Sequence, residues 1–400
     1  MIYTADTLIT GDGVTVIPEG AVSVNPAGAI AQVGTLAELT AAHPEEEVER
    51  FPGCTLLPGL IDMHVHFGYY YSQPDIAIYD DFMIALYGAR QARLALGKGI
   101  TTVRDVSSSK NLCIQIRRAA EKGYFPAPRI FQTDTGICMT GGHGHDDGII
   151  EVDGPWAIRR AIRQQIRDGA DWIKLLTTNR GDIPEFTQEE LDAAVDECHR
   201  VGVKCAIHAG TNPGMQMSID AGFDTIEHGT FLTMEQVLQM KEKGIAWTPT
   251  ITAYTVLYEY TLEKMNQGVD PGDRIGAKAI RDMAFFEPAY FYYKNHFKEF
   301  YKTGVTVLAG TDMVLRDAPA YPIDRELSLM VEYGITPVQA IQTATGNPAK
   351  VLDRADEFGT LAPGLTADLL VVEGNAAEEI GALSRVRAVY QAGKRTVMGL

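Results

Sequence analysis

Between residues 58 and about 350, short apolar runs alternate with longer amphipathic stretches. The runs at 60–66, 101–105, 129–132, 172–176, 204–209, 225–228, 246–250 and 305–312 have the length and bounding residues of strands. Helical spacing falls between several of them, at 80–97, 155–169 and 187–202. The last opens on a capping box, Thr187 followed three residues later by Glu190, and stops at Gly202. Eight strand–helix repeats close into a barrel more naturally than into an open sheet, so the expected fold is α/β, a (β/α)8 TIM-type barrel. The stretch 251–303 is too long for one crossover helix. It is expected to place extra helices over one side of the barrel mouth, with Tyr254, Tyr258 and Tyr260 available to line a pocket.

The chain ends follow a different pattern. Residues 1–57 break into short strand-like runs punctuated by Gly11-Asp12-Gly13 and Asn25-Pro26-Ala27-Gly28. They are too few to bury a core alone. Runs at 367–372 and 386–394 offer matching sheet material. The simplest arrangement joins 1–57 and 358–400 in a small β-sandwich, with the barrel, 58–357, inserted between them.

Composition narrows the classes. With 35 Lys and Arg against 52 Asp and Glu, the formal charge of -17 repels phosphate backbones and anionic lipid. No nucleic-acid or membrane partner is expected; a small molecule or short peptide is, and a homo-oligomer is compatible with the chain. The N-terminus lacks a basic run followed by an apolar stretch, and no apolar run is long enough for a bilayer span. Cys54, Cys113, Cys138, Cys198 and Cys205 are scattered and odd in number, which points to a reduced, cytoplasmic setting rather than a disulfide framework.

Chemistry collects at the strand ends. His64 and His66 are two apart on a strand and share a face. Lys174 interrupts the apolar run 172–176, where a lone amine is costly in either charge state unless it lies at a wet strand end. A buried amine beside metal can instead take up carbon dioxide as an anionic carbamate. His208, His228 and Asp312 end three further strands. Any one of these has an ordinary explanation in packing. On a barrel, however, all five strand ends converge on the face where catalytic groups gather.

In Pro58-Gly59-Leu60-Ile61-Asp62-Met63-His64-Val65-His66, the strand lysine Lys174, His208, His228 and Gly310-Thr311-Asp312, the chain resembles the amidohydrolase superfamily. The resemblance implies two divalent metal ions, usually zinc. His64, His66 and Asp312 would hold the more buried ion, His208 and His228 the more exposed one, and N-carboxylated Lys174 would bridge them. The stretch from Thr140 to Gly148, with Gly-Gly-His-Gly at 141–144, looks like the branch of metal-dependent Xaa-Pro dipeptidases and Xaa-Arg/Lys carboxypeptidases. There His143, with His145 as the weaker candidate, would bond the substrate carbonyl oxygen. Ala344-Thr345-Gly346-Asn347-Pro348-Ala349 and the stretch 359–368 fit the same branch.

The expected reaction follows. Two cations lower the pKa of a shared water, His143 helps stabilise the oxyanion, and Asp312 carries a proton to the leaving nitrogen. Tyr254 either contacts the substrate carboxylate or packs under a loop. Arg104 and Asp105 either support ligands or form a structural ion pair. Alternation places Glu227 opposite His228, in a structural role. Cys138 has no base and reads as packing, and His43, His199 and His296 read as surface or ordinary helix residues. Asp146, Asp147 and Glu287 could recognise a cationic side chain or simply face solvent. Two other functions compete: a cyclic-amide (imidazolone or cyclic urea) hydrolase or deaminase with the same cations, and a non-catalytic metal-stabilised binding protein. The mononuclear deaminases of the superfamily generally lack the bridging lysine, so Lys174 favours hydrolysis at two ions.

Overall fold

Parallel strands Leu60–Val65, Ile100–Asp105, Arg129–Gln132, Trp172–Leu176, Lys204–Ala209, Thr225–His228 and Ala246–Thr248 form where the apolar runs lie. The computed structural model describes residues 1–68, 81–108, 111–145, 148–178, 181, 183–312 and 320–396. The strands build a distorted (β/α)8-like barrel in two arcs. Between the arcs, Asp171 N donates to Gln132 O at 2.9 Å. The two-residue strand Ile137–Cys138 pairs beside Trp172–Leu176.

The eighth expected strand, 305–312, forms only a bridge between Val307 and Trp247. It still closes the ring: Leu308 N donates to Trp247 O at 2.8 Å and Met63 N donates to Ala309 O at 2.9 Å. A regular ladder stops there because the Thr311 N–H goes to the Asp62 carboxylate, at 3.0 Å, instead of to a neighbouring strand. At Gly310 a Cβ would lie 2.7 Å from the Cβ of His64, so only glycine allows this close approach.

Helix Gln188–His199 starts on the Thr187–Glu190 capping box. The stretch 251–303 resolves into two helices, Ile251–Asn266 and Arg274–Lys302. Aromatic packing fastens them to the barrel, with Tyr293 5.4 Å from Tyr254 and stacked on Trp247 at 6.3 Å between ring centroids. Of the three expected pocket tyrosines, Tyr254 lines the cleft, whereas Tyr258 stacks on Tyr290 and Tyr260 is exposed.

Both chain ends share a mixed β-sandwich domain. Its order is Lys394–Arg395, Val386–Gln391, Leu369–Glu373, Val48–Pro58, Ile2–Ile9, Gly20–Val24 and Ile30–Thr35, with Val16–Pro18 paired to Ile2–Ile9. Strand Val48–Pro58 is the seam, running parallel to the first strand and antiparallel to Leu369–Glu373. Tyr3, Leu8, Leu56, Leu369, Val371 and Tyr390 give this unit its own core. Gly59 alone separates the seam from barrel strand Leu60–Val65, so the sandwich anchors the strand that carries His64. Among the described residues no helix is long and apolar enough to cross a membrane.

Candidate metal centre

Six side chains from distant parts of the chain meet at the barrel mouth and line one cleft: His64, His66, Lys174, His208, His228 and Asp312. Asp312 Oδ1 lies 3.5 Å from His64 Nε2 and 3.3 Å from His66 Nε2, and its Oδ2 lies 3.8 Å from His228 Nδ1. The His208 ring is 4.3 Å from His228 and 4.2 Å from His143, centroid to centroid.

The imidazoles are oriented from behind. His64 Nδ1 contacts Glu227 Oε2 at 2.7 Å, and His66 Nδ1 contacts Ser107 O at 2.9 Å. Both therefore present Nε2 to the cluster, the arrangement that fixes a ligand's tautomer. His228 Nδ1 is held by Thr250 Oγ1 at 2.7 Å. Glu227 in turn takes Arg104 Nη2 at 2.6 Å, and Arg104 Nε donates to Met63 O at 2.8 Å. Asp105 accepts from Phe67 N at 2.7 Å and from Ser108 Oγ at 2.9 Å, shaping the turn after His66. Arg104 thus joins the network through its ion pair, and Asp105 through a turn.

Strand alternation is a poor guide at Glu227. Its carboxylate enters the barrel beside the cluster instead of facing away from His228. The chain passes through a φ of 66° at His228, so regular alternation ends there and both side chains serve one site.

Burial sets the electrostatics. It pulls Lys174 down to about 8, against the raising effect of Glu227 and Asp312. It pulls His64 down to about 4 and, with neighbouring positive charge, holds His208 and His228 well below the usual histidine range. At Asp312 burial acts upward, but the surrounding histidines overcome it and keep the carboxylate ionised. At His66 burial acts downward, and the contact with Asp312 reverses it. His208 Nε2 is buried with no hydrogen-bond partner. An unpaired ring nitrogen beside a carboxylate, further imidazoles and a buried amine is the donor set of a divalent-metal site.

Two groups among the described residues have donor atoms close enough to hold a divalent cation. One is His64, His228 and Asp312; the other is His199, Cys205 and Asp224. The second lies at the opposite end of strand Lys204–Ala209. There Asp224 already accepts from Cys205 N at 2.8 Å and contacts His199 Nε2 at 2.9 Å.

The cleft opens to solvent and is walled by Val106, Ile149, Leu176, Tyr254, Leu257 and Phe286. His143 lines it, while its backbone N–H donates to Glu185 at 2.7 Å. His145 is exposed, with Nδ1 on Gly142 O at 2.9 Å. The Tyr254 ring is 5.7 Å from His228. Cys138 is buried, and burial pushes its thiol up to about 12, which suits packing rather than nucleophilic work. His43 contacts Gln32, and His296 packs on the Tyr292 ring. Glu287 is exposed, and Asp146 and Asp147 lie outside the described residues. Not singled out from the sequence were Thr250 and Glu326, which are placed by contacts across the chain, and Lys278 and Asp282, which line the cleft.

A family model described as the amidohydrolase family matches residues 55–396. Aspergillus niger ochratoxinase is 30% identical, over 97% of this chain and 84% of its own length. A crystal structure of a Xaa-Pro dipeptidase with methionine bound in its active site superposes with a TM-score of 0.85 at 32% identity, over 98% of each chain. A putative prolidase from Bifidobacterium longum superposes with a TM-score of 0.83 at 25% identity, over 99% of this chain and 94% of its own.

Proposed function

We propose that this chain, which belongs to the amidohydrolase family, cleaves the amide bond of a dipeptide or N-acyl amino acid at the centre where His64, His66, Lys174, His208, His228 and Asp312 meet. It is a metal-dependent hydrolase of amide-type carbon–nitrogen bonds. The observation that carries the finer reading is the unpaired His208 Nε2, buried with Lys174 and grouped with the half-buried Asp312. His64, His66 and Asp312 would hold one ion and His208 and His228 the other. Two divalent ions, zinc in our assignment, would supply hydroxide near neutral pH and polarise the scissile carbonyl when bound.

The chain's own groups do the rest. With its pKa drawn down to about 8, Lys174 keeps a share of neutral amine near pH 7. That amine would add to carbon dioxide, forming an N–C bond and releasing a proton, and would leave an anionic carboxylate on Lys174 in place of an ammonium. We assign carbonyl-oxygen recognition to His143 rather than His145, because His143 lines the cleft and His145 is exposed. Asp312 takes a proton from the nucleophile and delivers it to the leaving nitrogen. Tyr254 stands where it can contact the amine-side half of the substrate. Five cysteines without a disulfide support a reducing compartment, and we place the enzyme in the cytoplasm.

The test is reconstitution of metal-free protein with zinc, with and without bicarbonate. The reconstituted protein is assayed on dipeptides with varied C-terminal residues, N-acyl amino acids, cyclic ureas and imidazolones. Linear amides should be cleaved, and bicarbonate should speed recovery. Cleavage of cyclic compounds alone would overturn the substrate class. Recovery indifferent to bicarbonate would overturn the role given to Lys174.

A further inference from the structure

Beyond the histidines, Lys174 and Asp312, the described lining of the cleft includes two more charged side chains, Lys278 and Asp282. Both come from helix Arg274–Lys302, as does Phe286. These three follow at intervals of four and therefore share one face of the helix. Phe286 lies 6.0 Å from Tyr254, centroid to centroid, and Tyr254 lies 5.7 Å from His228. Asp282 comes one turn, about 6 Å, beyond Phe286. The row Tyr254, Phe286, Asp282, Lys278 thus runs from the candidate metal centre toward the mouth.

The charges are arranged in depth. Lys278 Nζ donates to Asp282 Oδ2 at 2.5 Å, and the side-chain exposures are 56% for the lysine and 12% for the aspartate. An entering ligand therefore meets the ammonium first, with the carboxylate behind it and already neutralised. An ammonium carries three donors, so Lys278 can keep Asp282 and still bond a second acceptor. Asp282 also holds the lysine over the cleft, lowering the entropy lost when an anion docks. A ligand cation gains less here: it meets the like-charged ammonium first, and Asp282 behind it is already paired. The surrounding walls, Ile149, Leu176, Leu257 and Phe286, are apolar.

Resting on the amide-hydrolase reading above, we propose that Lys278 is the specificity-determining residue of this cleft. It selects amides with a bulky apolar body and a free carboxylate, and it disfavours substrates ending in Arg or Lys. This chooses within the substrate range left open by sequence, where release of C-terminal Pro, Arg and Lys stood side by side.

The experiment compares the zinc-loaded enzyme with Lys278→Met and Lys278→Arg on N-benzoyl-L-phenylalanine, its C-terminal amide and N-benzoyl-L-arginine, following release of benzoate. The acid should be preferred over the neutral amide and over the arginine compound. Lys278→Met should cut the acid-to-amide ratio of kcat/KM by about tenfold, the worth of one charge-assisted hydrogen bond, through KM with kcat retained. Lys278→Arg should restore the ratio. An unchanged ratio in Lys278→Met, or a wild-type preference for the arginine compound, overturns the proposal. If no benzoyl compound is cleaved, N-benzoyl amides fall outside the substrate range and the dipeptide panel decides the hydrolytic assignment. The Lys278 proposal is then decided by calorimetry with 4-phenylbutyrate and 4-phenylbutanol, which are not hydrolysed. Loss of the acid preference in Lys278→Met supports it, and the same preference in both proteins overturns it. Comparing proteins rather than ligands cancels any direct attraction of carboxylates to the metal ions.

Discussion

Asp312 occupies a backbone conformation that few residues accept, with φ at 43°. Such a position costs on the order of 1 kcal/mol or more and persists only where surrounding contacts hold it. Here the Asp312 N–H donates to His64 O at 2.9 Å while the carboxylate faces His64, His66 and His228. Aspartate and asparagine tolerate the left-handed region better than most side chains, so Asp312→Asn should fold and keep the strand-end geometry. It removes the ionised oxygen that moves the proton. Turnover of a cleaved amide is expected to fall by about 10²- to 10⁴-fold, with much less effect on KM. The check is steady-state kinetics beside metal analysis, and near-normal turnover at full metal content would remove Asp312 from the proton path. His143 and His145 make the same point about single residues. They are two positions apart in one glycine-rich motif, yet one lines the cleft and the other is exposed.

Helix Ile251–Asn266 shows how one element holds another in register with the site. Thr250, the residue before it, has a φ of 50° and gives its hydroxyl to His228, so it makes no side-chain cap. The buried N–H groups at the start of helix Ile251–Asn266 are taken instead by Glu326, from helix Ile323–Glu332. Its carboxylate accepts from Ile251 N at 3.0 Å and Thr252 N at 2.6 Å. Helix Ile251–Asn266 carries Tyr254, so Glu326 stands behind both a candidate ligand's partner and the cleft wall. Burial raises the Glu326 carboxyl from 4.5 to about 7, against the lowering effect of the Thr252 and Ile251 contacts. Between those values the folded protein holds a proton that the unfolded chain releases. This residue's contribution to stability is therefore complete below about pH 4.5 and is lost as pH rises through about 7. Glu326→Gln cannot ionise, so the fall in stability over that window should be shallower than in the wild type. Urea unfolding from pH 5 to 8 measures it, and identical slopes would mean that the carboxyl titrates normally. KM should rise in the variant, because a carboxamide offers only one acceptor oxygen to the two N–H groups and loosens Tyr254.

At the scale of the molecule, the barrel is closed through its candidate metal centre. The segment 305–312 has little ladder of its own and is tied to the first strand by Met63 N to Ala309 O, by Asp62 to Thr311 and by Asp312 N to His64 O. Ions bound at the first and last strands would favour the folded state alone. At a metal concentration 100-fold above Kd that stabilisation is about 2.7 kcal/mol. Chelation should therefore lower the thermal midpoint by several degrees, and zinc should restore it. Equal midpoints in calorimetry with chelator and with zinc would show that the ions do not brace the ring. The barrel period, the Thr187–Glu190 cap and the set of side chains that meet at the strand ends were legible in sequence. Each depends on residues a few positions apart, and the chemistry of a histidine or buried lysine at a strand end is intrinsic to that residue. What only the tertiary structure decided lies in pairings across the chain. Glu227 meets His64 over 163 positions, Glu326 meets Thr252 over 74, and the row ending at Lys278 aligns with a cleft whose opposite wall comes from other strands. Periodicity fixes which face a side chain takes within an element and says nothing of what another element brings against that face. At His228 and Asp312, where the backbone leaves the strand conformation, it no longer fixes even the face.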